Sequence, residues 1–337
     1  MYTKFIFVVV FIILSVNNCN NQPLSKYNSN ALETSLRKLI EDDEYLNIIT
    51  MADDDSFQDL FSFHNDGDQS ILTREMYEFP IKWKRVIEDI SSSILIESHE
   101  PYSDTIYASI DKTILGYLRI INLDTVIIDS SVQFVSVDTS EKPFTMDSQR
   151  RVRFVKLHDN NDQYMGWRIS GRTPLILSST TSTVRFTEIA FHDGLDEGSN
   201  SIFSLPIDDE LLNTFYRLND FPVFYPGELY KATATIINSN PDEELYPDSG
   251  EGVFMHKKFR HHRILRKPLF DDGLPDHSGD DIENDNVFTK YFQVRETGIE
   301  DVIKRNITFE VIDYETLLNN DGNYQSFIIG FPYIISP

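Results

Sequence analysis

The sequence predicts an α+β domain followed by an all-β sandwich, and three observations predict it. Apolar residues recur at helical spacing between residues 31 and 90. From about residue 104 they recur at every second position, the period of a strand with one buried face. A polar, glycine-containing stretch at 192–200 (HDGLDEGSN) then breaks the pattern and marks a domain boundary. The 337 residues suffice for two domains of roughly 150 residues each. Domains of that size bury about 68–70% of the unfolded surface and need no disulfide staples.

The elements follow in order. Residues 1–18 place one cation, Lys4, before an apolar run from Phe5 to Leu14, the n-region and h-region of an export signal peptide. That run is shorter than the roughly 20 apolar residues of a membrane span. Residues 19–30 open on Cys19 and continue as a polar, aperiodic tether. Ala31–Ile48 reads as a helix, with Leu32, Leu36, Leu39 and Ile40 on one face, Asn30 as N-cap and Glu33 completing a capping box. A second short helix is expected over 53–63, before the turn at 65–68. A third is expected at Glu78–Ile90, where Trp83, Val86, Ile87 and Ile90 share helical spacing.

Ile106, Ala108, Ile110 and Ile114 then alternate with polar residues, and 124–137 is a further β-branched stretch. Arg150–His158 and Gln163–Ser170 flank four Asx residues, which tolerate the backbone of a tight turn, so they form a hairpin. Thr183–Phe191 closes the first domain, residues 31–193. A linker, 194–221, carries a short helix at Asp208–Leu218. In the second domain, 222–337, strands are expected at Leu229–Ile237, Val253–Phe259, Val287–Val294, Ile307–Ile312 and Ser326–Ile335.

Composition excludes several classes. An apolar fraction of 40% with 12% aromatics is too high for global disorder. A single cysteine excludes an internal disulfide and a cysteine-based zinc site. With 54 acidic and 30 basic side chains the net charge is −24, which argues against nucleic acid as a partner. The same charge repels anionic headgroups, so a lipid rather than a protein face would hold the chain on a membrane.

Residues 1–19 resemble a bacterial lipoprotein signal, with Val16 and Asn18 standing where Leu and a small residue are usual. The resemblance implies cleavage before Cys19, lipidation of that thiol and a place in the cell envelope on the non-cytoplasmic side, periplasmic or surface. The other reading is an ordinary secretory signal with an incidental cysteine. Residues 27–193, with helices leading to Trp83, strands at 104–122 and a closing Gly166-Trp167-Arg168-Ile169, resemble the cone-shaped NTF2-like fold. No catalytic residue carries over with that resemblance. Residues 222–335 resemble an immunoglobulin-like sandwich of envelope proteins. The shared stretch is Pro268, Leu269, Phe270, Asp271, Asp272, Gly273, Pro275, Asp276, Ser278, Gly279, Asp280, Asn284, Asp285, Asn286, Val287, Phe288 and Thr289, with Asp281–Glu283 inserted. Such domains imply a non-catalytic module.

Two segments carry site chemistry. The loop 271–285 gathers Asp271, Asp272, Asp276, Asp280 and Asp285, carboxylates of the kind that bind Ca²⁺ through six to eight oxygens. The alternative is a solvated turn whose Asx side chains bond their own backbone. Just upstream, Arg260, His261, His262 and Arg263 lie in a basic run (256–267) that suits an anionic partner or pairs with the acidic loop. Arg150, Arg151, Arg153 and Arg168 form a second basic spot, either a solvated face or the lining of a pocket. G-x-S-x-G, H-E-x-x-H and Walker A patterns are absent. The expectation is therefore an exported, lipid-anchored, non-catalytic envelope protein with a protein or glycan partner and no cofactor, Ca²⁺ being the one ion the sequence suggests. The alternative is a small-ligand binder or enzyme using a cavity in the first domain. A buried carboxylate–histidine pair in such a cavity favours that alternative.

Overall fold

The computed structural model describes residues 29–43, 46, 81–97, 103–128, 131–157, 163–194, 200–239, 250–258, 264–294, 301–318 and 324–337. Cys19, the leader, the helix expected at 53–63 and the run Arg260, His261, His262 and Arg263 lie outside them. The elements are α1 (Ser29–Asp42), β1 (Ile81–Ile96), β2 (Thr105–Ile128), β3 (Ser131–Lys156), β4 (Trp167–Arg172), β5 (Leu175–Ser179), β6 (Val184–Asp193), β7 (Ser201–Pro206), β8 (Val223–Phe224), β9 (Leu229–Asn238), β10 (Glu251–Lys258), β11 (Ile264–Leu269), β12 (Val287–Gln293), β13 (Ile303–Asp313), α2 (Tyr314–Leu318) and β14 (Ser326–Ile335).

The strands form a ten-stranded sheet, ordered β1-β2-β3-β5-β14-β13-β10-β11 with β4 on β3 and β8 on β14, and a four-stranded sheet, β12-β9-β6-β7. Pairing is antiparallel apart from β8 with β14. The hydrogen bonds run across the boundary expected at 192–200: β5 pairs with β14, and β6 pairs with both β7 and β9.

The four-stranded sheet lies over β10, β13 and β14, and their facing side chains make one core. Tyr230, Ala232, Ala234 and Ile236 of β9 alternate into it as the period of two requires. Phe191 sits at its centre, with the rings of Phe203, Phe224, Phe292, Phe309 and Phe331 at 5.1–6.3 Å. Val253 and Met255 of β10 and Ile307, Phe309 and Val311 of β13 enter from the other side.

The opposite faces of these strands are buried too. Phe254, Ile312 and Ile328 meet Trp83 of β1, Leu118 of β2 and Phe144 of β3 in a second core. The long sheet therefore curls back over its own outer face. Its two edges meet where Arg266 of β11 stacks 4.3 Å from the Trp83 ring centroid and donates from Nη1 to the Trp83 carbonyl at 3.3 Å. Burial on both faces explains why β14 is apolar almost throughout, with eight consecutive buried residues from Ile328 to Ile335.

Three expectations are corrected. Glu78–Ile90 is not a helix: residues 81–96 form β1, paired with β2. Its β-branched residues and the serines 91–93 favour a strand over a helix. The helical spacing has a local cause, a bulge at Glu88 between Ile87↔Gly116 and Asp89↔Leu115. One extra residue reverses which side chains face inward, so Ile87 and Ile90, three apart, both reach the second core. Without this helix the described residues show no helix-rich, NTF2-like domain and are predominantly β. The segment Asp208–Leu218 is likewise not an α-helix but carries 3-10 turns at Leu211–Asn213 and Leu218–Asp220.

The first helix is present but ends at Asp42. Leu32, Leu36, Leu39 and Ile40 pack onto Ile106, Ala108, Ile110, Val152, Phe154 and Trp167, a third core on one face of β2, β3 and β4. The expected hairpin is β3–β4, in register at Lys156↔Trp167.

Candidate functional site

The face of β2, β3 and β4 away from α1 forms an open cleft. Alternation decides its lining: Ile106, Val152 and Phe154 point to the helix, while Tyr107, Arg153 and Val155 point the other way. Tyr216 docks on β4 through two backbone hydrogen bonds to Arg172, each 2.9 Å. This brings Arg217 and Leu218 to the rim of a cleft of about 670 Å³, whose floor and walls are Thr105, Tyr107, Arg153, Val155 and residues 169–172. Gly171 makes the docking feasible, since a Cβ there would stand 3.0 Å from Phe215 Cβ and 3.2 Å from Arg153 Nη2.

Two guanidinium groups, those of Arg153 and Arg217, belong to this cleft, whereas that of Arg172, the register partner of Val152, turns to the helix side. Arg172, 6% exposed, pairs with Asp43 just beyond α1 at 2.6 Å. Arg153 is half-buried; its Nε donates to Ser170 Oγ at 3.1 Å, and its Cζ lies 5.6 Å from the Phe215 ring centroid. Arg217 is exposed, with its backbone N–H on Asp220 Oδ2 at 2.7 Å. Among the described residues no carboxylate forms a salt bridge with Arg153 or Arg217. The other arginines of the basic spot are placed differently. Arg151 is held by Glu97 at 2.6 Å and by Asn213 Oδ1 at 2.6 Å, and Arg168 is exposed beside Tyr164. Arg150 is buried, and burial together with the charge of Arg172 brings its guanidinium down to about 9.

A second polar cluster lies inside the curled sheet. Arg85 of β1 forms an ion pair with Glu310 of β13, and its Nε donates to Tyr324 Oη at 2.8 Å. Glu310 also meets His256 Nε2 at 2.9 Å and accepts from Ser326 Oγ at 3.2 Å. Burial pushes the Glu310 carboxyl up. The charge of Arg85 and the bonds from His256 and Arg85 outweigh this and hold it at about 2. Burial raises Tyr324 to about 12. This is a buried carboxylate–histidine pair of the kind that marks catalytic sites, but Glu310 is 0% exposed and lies among Trp83, Met146 and Ile328 rather than in the cleft.

The acidic loop divides in two. Carboxylate oxygens of Asp271, Asp280 and Asp285 lie within 4.8 Å of one another. Each also accepts backbone N–H groups: Asp271 from Asp285 at 3.2 Å and Asn286 at 2.8 Å, Asp280 from Gly273 at 2.7 Å, and Asp285 from Val287 at 2.9 Å. Burial raises Asp271 to about 6 and shifts Asp280 upward as well. Asp272 instead bonds His277 at 2.7 Å and Ser278 at 2.6 Å, and Asp276 is exposed. The three converging carboxylates could contribute to a Ca²⁺ site, with carbonyl or water oxygens completing the six to eight that the ion takes. Their visible work is to organise a loop in which Asn284 and Asn286 have φ of 60° and 64°.

The sequence placed Arg153 in a basic spot but missed Arg172, Arg217, Arg85 and Glu310. The alternation Trp83-x-Arg85-x-Ile87 was the available signal for Arg85, an arginine on an apolar strand face. Comparison with models of protein families finds no match, and no curated protein matches this sequence.

Proposed function

We propose that this is an exported, lipid-anchored envelope protein, non-catalytic, that binds a ligand on the non-cytoplasmic side of a membrane. One observation carries the reading: the open cleft presents recognition groups, while the acid–histidine pair is sealed in a core. A general base must come within hydrogen-bond reach of its substrate, and Glu310, 0% exposed, meets only protein. The cleft offers arginines, hydroxyls and an aromatic wall at a volume of about 670 Å³, inside the roughly 300–1,000 Å³ range of small-molecule sites. This favours small-ligand binding over a purely structural role.

The lipid anchor rests on the leader and Cys19. Two or three acyl chains, each contributing about 0.8 kcal/mol per buried CH₂, hold a protein stably on a bilayer. No helix among the described residues is long and apolar enough to cross a membrane. The finer fold assignment also belongs here: the two facing sheets and their phenylalanine core support an immunoglobulin-like module over 222–337, with β6 and β7 paired onto its four-stranded sheet. Palmitate labelling of the wild type and Cys19→Ala tests the anchor. Label on the wild type alone is expected; an unlabelled wild type overturns it.

A further inference from the structure

We propose that the cleft recognises a small organic oxyanion, a ring bearing a carboxylate or a phosphate group. The inference rests on the reading of the cleft as a ligand site and adds the chemistry of the ligand.

Charge makes the first argument. The chain carries −24, so a patch that collects arginines stands against its background. Asp43 matches the charge of Arg172. Arg153 and Arg217 bring two positive charges to the cleft, with no salt bridge to a described carboxylate. Glu97, just beyond β1, is already bonded to Arg151 by both Nε and Nη2, at 3.1 and 2.6 Å, and Asp220 meets the backbone N–H of Arg217 at 2.7 Å.

Desolvation makes the second. Arg153 is half-buried, and the groups beside it are a hydroxyl, an aromatic ring and the glycine at 171. Taking a guanidinium partly out of water costs free energy unless hydrogen bonds replace the lost solvent. The planar fork of an arginine fits a carboxylate or phosphate with two parallel bonds. A bound oxyanion would supply those bonds from the cleft side.

The walls make the third. Tyr107, Val155, Ile169 and Leu218 give the cleft an apolar and aromatic lining beside the cations. An inorganic ion alone would leave that lining wet, whereas a ring beside the anionic group would cover it. Carboxylate and phosphate share this recognition chemistry, so the experiment separates them.

The test measures binding of D-glucuronate, D-glucose 6-phosphate and uncharged D-glucose to the full-length protein by calorimetry, at low salt and in a phosphate-free buffer. One of the two anions is expected to bind at least about tenfold more tightly than glucose, the effect of one charge-assisted hydrogen bond. Arg153→Met should weaken that anion by about tenfold or more, and Arg153→Lys by less, because charge remains while the fork is lost. The exposed Arg217→Ala, which touches no core, should weaken it by about two- to fivefold, a difference that fades as salt screens it. Equal binding of glucose, or anion binding indifferent to both Arg153→Met and Arg217→Ala, overturns the anion inference and leaves a ligand-binding cleft standing. No binding by any probe overturns the inference as well. Conversion of a bound probe to product, followed by NMR, overturns the non-catalytic reading while leaving anion recognition intact.

Discussion

Arg85 carries a charge into a space lined by Trp83, Met146 and Tyr324, and Glu310 is what makes that tolerable. The guanidinium also lies 4.7 Å from the Trp83 ring centroid, so the ring face adds attraction to the ion pair. A buried pair contributes little beyond an apolar replacement, but removing one partner strands the other charge. Glu310→Gln should therefore lower the unfolding free energy by about 3–5 kcal/mol in urea; a loss under about 1 kcal/mol would mean that water reaches the pair. Acid titration separates the buried carboxyls by sign. Glu310, held at about 2, contributes stability above its ordinary pKa of 4.5 and loses it as pH falls toward 2. Asp271 and Asp313, pushed up by burial to about 6 from 3.8, bind more protons folded than unfolded, so stability rises as pH falls through that window. The melting temperature should climb from pH 7 to about 4.5 and then fall, and Asp271→Asn should flatten the climb. A steady decline from pH 7 downward contradicts these assignments. Little of this was readable beforehand: a charge's burial is set by strands distant in sequence, as the 225-residue separation of Arg85 from Glu310 illustrates.

At the scale of the element, β1 shows how a strand imitates a helix. The bulge at Glu88 places Ile87 and Ile90 on one side, and only the partner strand reveals it. Gly116 of β2 is the partner's contribution, since a Cβ there would stand 2.1 Å from the Val86 carbonyl oxygen. Gly116→Ala should cost about 1–3 kcal/mol, as overpacking does, and an unchanged midpoint in urea would show that the two strands lie further apart. Strands buried on a single face were legible: β9 begins at Leu229 as expected, and its buried residues are the alternating set. The curl of the long sheet was not, because period two reports that a face is buried and not what buries it. The apolar run of β14 was the one hint, since a strand buried on both faces loses its alternation. The first helix was legible from its own spacing, and its end at Asp42 fits the salt bridge from Arg172 to the next residue, Asp43.

At the scale of the molecule, three cores among the described residues share strands, so the cleft and the two facing sheets are parts of one hydrogen-bonded structure. The strands β10, β13 and β14 give one face to the phenylalanine core and the other to the space under β1–β3. The cleft lies outside both, where β2, β3 and β4 turn their polar face from α1. That arrangement puts the acid–histidine pair inside and a cleft carrying Arg153 and Arg217 outside. Sequence placed arginines on the β3–β4 hairpin, but Arg217 joins them only because Tyr216 bonds to Arg172. A titration of D-glucuronate or D-glucose 6-phosphate into protein labelled at the arginine side chains, read by the Nε–H resonances, tests this division most directly. Arg153 and Arg217 should shift with the binding curve while Arg85 stays still. Shifts at Arg85 with a silent Arg153 would place the ligand at the sealed pair and contradict it.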